Sequence, residues 1–377
     1  MRQGDYPRIV WGINVGTIEP LLYKEDWPQV SERYRAFWEH DIIDRACIAV
    51  TAPRPRQVPM PAPQSTSDEY LMADMDYYLA RKEAVYRNTY FGGEALPART
   101  SVVGYAVFGG QPVFDVSADT LWFDPIISDW ERTPYHFDPQ NKWCQHFLEM
   151  KRREYAAGHG KWLTGLDGTL WPTDMLSVLR GAQNLLMDLR EHPEEVRAAQ
   201  GELLRAWKWI NGIRFEMVHA KEDGNVSMGL WSPGPYFHLG CDFGCMISPK
   251  DYVDFVLPEI AHLAKWMDHS FYHLDGEGAI RHLPTLFDLK ELDGIQWTYG
   301  AAHDTTPAVH WIPLYQLIQK AGKLVHISCQ YDEVEPLLAE LDARGIILVT
   351  NAPSVEAADT LLENAKRWSR RGIHVVS

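Results

Sequence analysis

The sequence predicts an α/β chain: one (β/α)8 TIM barrel over residues 44–377, with an N-terminal extension over 1–43 and decorated loops. The first observation behind this is a rhythm. From residue 225 onward, short β-branched or aromatic runs ending in Gly, Pro, Asp or Asn alternate with amphipathic stretches of ten residues or more. Strands of that length alternating with helices make βαβ units and a parallel sheet. The second is that the 377 residues carry no repeat, no low-complexity run and no long linker, and an α/β barrel holds such a length as one domain. The third is that no G-x-G-x-x-G follows any strand-like run, which removes the main support for a doubly wound dinucleotide-binding sheet.

The elements follow in order. Residues 46–51 (ACIAVT) read as the first strand, and the Pro-rich 53–67 (PRPRQVPMPAPQSTS) as an extended loop. Further strands are expected at 100–107 (TSVVGYAV) and 162–167 (WLTGLD). Two long helices fill 175–221, the second starting at His192-Pro193-Glu194-Glu195. The strand 225–231 (NVSMGLW) then precedes a helix at 249–267, and 270–275 (SFYHLD) one at 279–292. Next come 294–298 (GIQWT) before 307–321, 323–329 (KLVHISC) before 333–343, and 345–351 (GIILVTN) before 355–370. Gly294, Gly322 and Gly345 stand just past periodic runs, where helices stop.

Composition narrows the partners. There are 36 basic and 51 acidic side chains, a net charge of −15. That excess speaks against nucleic acid or an anionic membrane surface, both of which need a basic stripe. No uncharged apolar run reaches the roughly 18 residues of a membrane span, and the opening MRQGDY has no apolar signal core. Five cysteines, an odd number, do not make a disulfide framework. A cytoplasmic protein is expected, with a homodimer left open. The surplus of 15 Trp, 17 Tyr and 15 His points to an aromatic-lined pocket for an organic small molecule.

In a parallel barrel the strand carboxyl ends build the site. His273-Leu274-Asp275 is the sharpest signal there, because alternation places residues i and i+2 on one face. The pair can act as acid and base or as two metal ligands. Asp242 and Asp167 are further catalytic candidates. Trp231, Tyr272, Gln296, Trp297, Arg54 and Asn351 are candidates for substrate binding, and Cys329 and Cys241 for joining His273 and Asp275 on a metal. The segment FHLGCDFGC, with His238 and Cys245, supplies Cys241 and Asp242. Cys47 and Cys144 read as structural.

At these residues the chain resembles the uroporphyrinogen decarboxylase superfamily, which also contains corrinoid-dependent methyltransferases. The resemblance is carried by Ile247-Ser248-Pro249 with Pro258, by His273 to Gly276 (HLDG), by Gly294 to Trp297 (GIQW), and by the last strand and helix. Residues 179–196 and Asp44-Arg45 add to it. It implies a barrel with its site at the carboxyl-end mouth. In the methyltransferase branch it implies zinc on a H-x-C pair and a later cysteine, with the methyl group passed to a corrinoid on a partner protein. Here His273 matches the histidine, Asp275 stands in the cysteine's place, and Asn351 near that of the later cysteine. A harder donor set of this kind suits an oxygen- or nitrogen-bound substrate better than a thiolate. The expected function is therefore transfer of a methyl group from a small methylated substrate to a corrinoid protein. A cofactor-independent decarboxylase or lyase acting on an organic acid or tetrapyrrole is the alternative, with Arg54 holding a carboxylate. A non-catalytic ligand-binding barrel is the third reading.

Overall fold

The computed structural model describes residues 19–98, 102–118, 120–166, 169–220, 223–300 and 306–371. Its centre is a seven-stranded sheet. In chain order the strands are β1 (Cys47–Pro53), β2 (Thr89–Gly93), β3 (Pro112–Asp115), β4 (Thr120–Phe123), β5 (Asn225–Ser227), β6 (Leu230–Ser232), β7 (Tyr236–Gly240), β8 (His269–Asp275), β9 (Gly294–Thr298), β10 (Leu324–Ser328) and β11 (Ile346–Asn351). The large sheet runs β2-β1-β11-β10-β9-β8-β7, with β2 antiparallel to β1 and every other pairing parallel. Almost every residue of these parallel strands is buried, as expected for a sheet covered on both faces.

Beyond the two edges the connections are single rather than laddered. The Leu163 amide donates to the Pro97 carbonyl, Gly165 bridges Val226 in parallel, and the Asn225 side chain bonds the Tyr236 backbone through both its oxygen and its nitrogen. These contacts run in sequence from the β2 side to β7.

The structure corrects several sequence expectations. The strand expected at 100–107 is, from Val102 to Phe108, a 3-10 helix; residues 99–101 lie outside the described residues. The run 225–231 is a hairpin of β5 and β6, turned by Met228 and Gly229 at φ 44° and 77°, the left-handed pair a two-residue hairpin requires. The strand feeding the 249–267 helix is β7, in place of the expected 225–231. The two helices expected over 175–221 are three: Pro172–Arg180, Ala182–Glu191 and Pro193–Met217.

The 249–267 helix widens into one π turn over Tyr252–Val256. Pro258 has no N–H to return up the helix. The Leu257 amide reaches back five residues to Tyr252. Arg197 and Gln200 donate to the Asp254 and Phe255 carbonyls at 2.7 and 2.9 Å.

At the amino ends of the strands an aromatic cluster forms under the helix Trp27–Trp38, whose buried face is Trp27, Val30, Ser31, Tyr34, Phe37 and Trp38. Trp38 lies edge-on to Tyr236 and Phe271 and stacks on His269 at 4.2 Å. Part of the N-terminal extension therefore packs against the sheet. No helix among the described residues is long and apolar enough to cross a membrane.

Candidate metal centre

Register sets the first layer of the site. His273 on β8 pairs with Gln296 on β9, and Gln296 with His326 on β10, so three polar side chains share one level. One level nearer the carboxyl ends, Asp275 pairs with Thr298. Asp242 enters from the 3-10 turn Asp242–Met246, two residues beyond β7. Asp242, His273 and Asp275 each offer a donor atom, and all three atoms lie within 4.8 Å of one another.

The histidine is held on three sides. Its Nδ1 bonds the Gln296 side-chain oxygen, and the Gln296 amide nitrogen donates to the Thr298 hydroxyl at 3.0 Å. That chain makes Nδ1 the protonated nitrogen and leaves Nε2 bare, 3.9 Å from the nearer Asp242 oxygen. The indole of Trp171 stacks over the ring, centroids 5.6 Å apart and 25° from parallel.

Burial raises the pKa of Asp242; the imidazole of His273 opposes the rise and Asp275 adds to it. The net direction is upward. Fully buried Asp174 is pushed up to about 7, by burial first and then by Asp242. Below the trio the histidines are neutral. Burial takes His326 down to about 3 and His238 well below its ordinary value. His238 Nδ1 lies 2.7 Å from the Tyr236 hydroxyl, and its Nε2 lies 3.4 Å from His326 Nδ1. A cluster of one bare imidazole nitrogen and two carboxylates, part-open to solvent, can hold a divalent cation or shuttle a proton.

The structure brings His273, Asp275, Asp242 and Gln296 together. It sets the other candidates elsewhere. Cys241 is buried beside Asp174, and burial raises its thiol pKa well above the ordinary value. The Cys329 thiol is pushed up to about 12 by burial, with Glu333 and Asp332 adding to the shift. Neither sulfur belongs to the trio. Arg54 and Asn351 lie on the rim over β1, β2 and β11. The Arg54 Nε donates to the Thr89 carbonyl, and Asn351 accepts from Thr51 and helps line a pocket of about 340 Å³.

Three aromatic candidates sit away from the site. Trp231, on β6, packs edge-on to Trp27 in the amino-end cluster. Tyr272 and Trp297 are buried on the outer face of the sheet, against Tyr252 and Trp311 respectively. The alternation that turns His273, Asp275 and Gln296 inward turns Tyr272 and Trp297 outward. Asp167 lies outside the described residues. Asp174 was missed. Its signal is the run Trp171-Pro172-Thr173-Asp174 after an expected strand, with Pro at N1 and an acid in the first turn.

Neither protein-family models nor curated proteins give a match to this chain by sequence. Among solved structures the chain is similar to a methyltransferase from Methanosarcina mazei. The TM-score is 0.59 at 11% identity, over 90% of this chain and 98% of that one. At that identity the likeness speaks for the fold.

Proposed function

We propose that this protein is a methyltransferase of the uroporphyrinogen decarboxylase-like barrel type. In this reading it takes a methyl group from an oxygen- or nitrogen-methylated organic substrate and passes it to a corrinoid on a partner protein. The observation that carries the reading is the convergence of Asp242, His273 and Asp275 at the ends of adjacent parallel strands. The fold likeness to a methyltransferase supports it, and we take the single contacts between the sheet edges as closing the barrel.

The sulfur-rich zinc set that the resemblance implies does not fit, because no thiol belongs to the trio. A divalent cation taking one imidazole nitrogen and two carboxylate oxygens does fit, zinc included. Bound there, it would act as a Lewis acid toward the oxygen or nitrogen that loses its methyl group. The remaining work falls to the chain. Gln296 keeps His273 Nε2 bare, Trp171 covers the imidazole face, and Asp242 and Asp275 would supply the carboxylate oxygens.

The test is metal analysis of the purified protein and of His273→Ala, alongside incubation of methoxylated and N-methylated aromatics with reduced cobalamin as acceptor. Stoichiometric divalent metal lost in the variant, with methylcobalamin formed by the parent, supports the reading. Full metal retained in His273→Ala removes that ligand. Carbon dioxide released from an organic acid by metal-free protein turns the assignment to the lyase alternative.

A further inference from the structure

We propose that Trp171 and Asp174 are positioning residues that pre-set His273 and Asp242 for a divalent cation, an inference that rests on the metal reading above. Both come from the four residues that open the helix Pro172–Arg180. The buried carboxylate of Asp174 grips the loop backbone with both oxygens, accepting the Asp242 amide at 2.9 Å and the Phe243 amide at 2.8 Å. Two bonds to successive amides fix the peptide plane from which the Asp242 side chain departs, and so its direction. Trp171 does the same for the other ligand. Its indole N–H donates to the His238 carbonyl at 2.6 Å, locking the ring to β7, while its face lies over His273 on β8.

The segment is itself anchored. Pro172 follows Trp171, which is extended at φ −69° and ψ 155°. The Thr173 hydroxyl donates to Glu259 at 2.7 Å and accepts from Gln200 at 2.9 Å. One short stretch therefore ties together ligands from two different strand ends, and outer-shell groups of this sort govern metal affinity by fixing ligand direction.

Cobalt(II) is the probe: it reports affinity by titration and ligand geometry through its d–d absorption bands. Full-length Asp174→Ala, Asp174→Asn and Trp171→Phe are compared with the parent, with circular dichroism confirming the fold. Asp174→Ala is expected to weaken cobalt binding about 10- to 100-fold and to alter the bands. Asp174→Asn, which keeps one acceptor oxygen, falls between it and the parent. Trp171→Phe keeps an aromatic face but loses the anchoring N–H, and is expected to shift the bands. If Asp174→Ala does not fold, the other two variants decide. Parent-like affinity and bands in the folded variants overturn the positioning role while leaving the metal centre standing. A parent that binds no cobalt overturns the metal reading, and this inference with it.

Discussion

Gly240 lies directly against the indole of Trp171: a Cβ at residue 240 would sit 2.7 Å from the ring's Cη2. The last residue of β7 must therefore be bare for the indole to cover His273. Gly240→Ala is expected to push the ring away or shift the strand end, an overpacking that costs about 1–3 kcal/mol. Urea unfolding reads it as a lower midpoint at unchanged slope. An unchanged midpoint would show that the indole moves aside at no cost and is not held over the imidazole.

The trio and the cysteines make opposite predictions. His273→Ala, Asp242→Asn and Asp275→Asn are each expected to weaken divalent-metal binding by at least the roughly 10- to 100-fold of an outer-shell change. Cys329→Ser and Cys241→Ser should keep the parent's metal content, because neither sulfur reaches the trio. Mass-spectrometric metal analysis after dialysis against a weak chelator separates the two groups. Loss of metal in Cys329→Ser would bring the sulfur-ligated arrangement back.

Sequence was most informative where periodicity was strict. The late strands and their helices carry long, clean patterns, and the i, i+2 spacing of His273 and Asp275 already placed both on one face. It failed where tertiary contacts override local pattern. Asn225 to Trp231 is apolar enough for one strand, yet the φ > 0 pair at Met228 and Gly229 folds it into a hairpin. β7 was not among the expected strands, and its terminal Gly240 leaves the room that Trp171 fills. Tyr272 and Trp297 failed by a single step of alternation, since in β8 and β9 the residue next to each inward polar group faces outward. The role of Asp174 was not legible, because its partners, the amides of Asp242 and Phe243, are 68 and 69 residues away.

Glu259 predicts a pH dependence of stability. Burial is the largest cause raising its carboxyl from 4.5 to about 8, with Thr173 hydrogen bonds opposing. Between those values the folded chain holds a proton that the unfolded chain has released, so stability falls as pH rises and flattens above about 8. The contribution is fully present below roughly pH 4.5. Asp174, raised to about 7, adds a slope of the same sign over a lower window. Glu259→Gln stays neutral throughout, and the difference between parent and variant in urea-unfolding free energy should therefore decline from pH 5 to pH 8. A pH-independent difference would mean that Glu259 is ionised in the folded protein.

In the proposed metal centre, Asp275 would set the hardness of the donor set. With one imidazole and two carboxylates, the trio has no sulfur to favour zinc over manganese beyond the general order of affinities. Asp275→Cys places a soft thiolate at the same strand end, two residues from His273, and turns the donor set toward nitrogen and sulfur. Thiolate favours zinc and disfavours manganese, so the ratio of zinc to manganese affinity should rise by roughly tenfold or more. Displacement of manganese by zinc, followed through the manganese electron paramagnetic resonance signal, measures that ratio directly. A ratio equal to the parent's would show that residue 275 does not contact the metal, and would reduce the centre to Asp242 and His273.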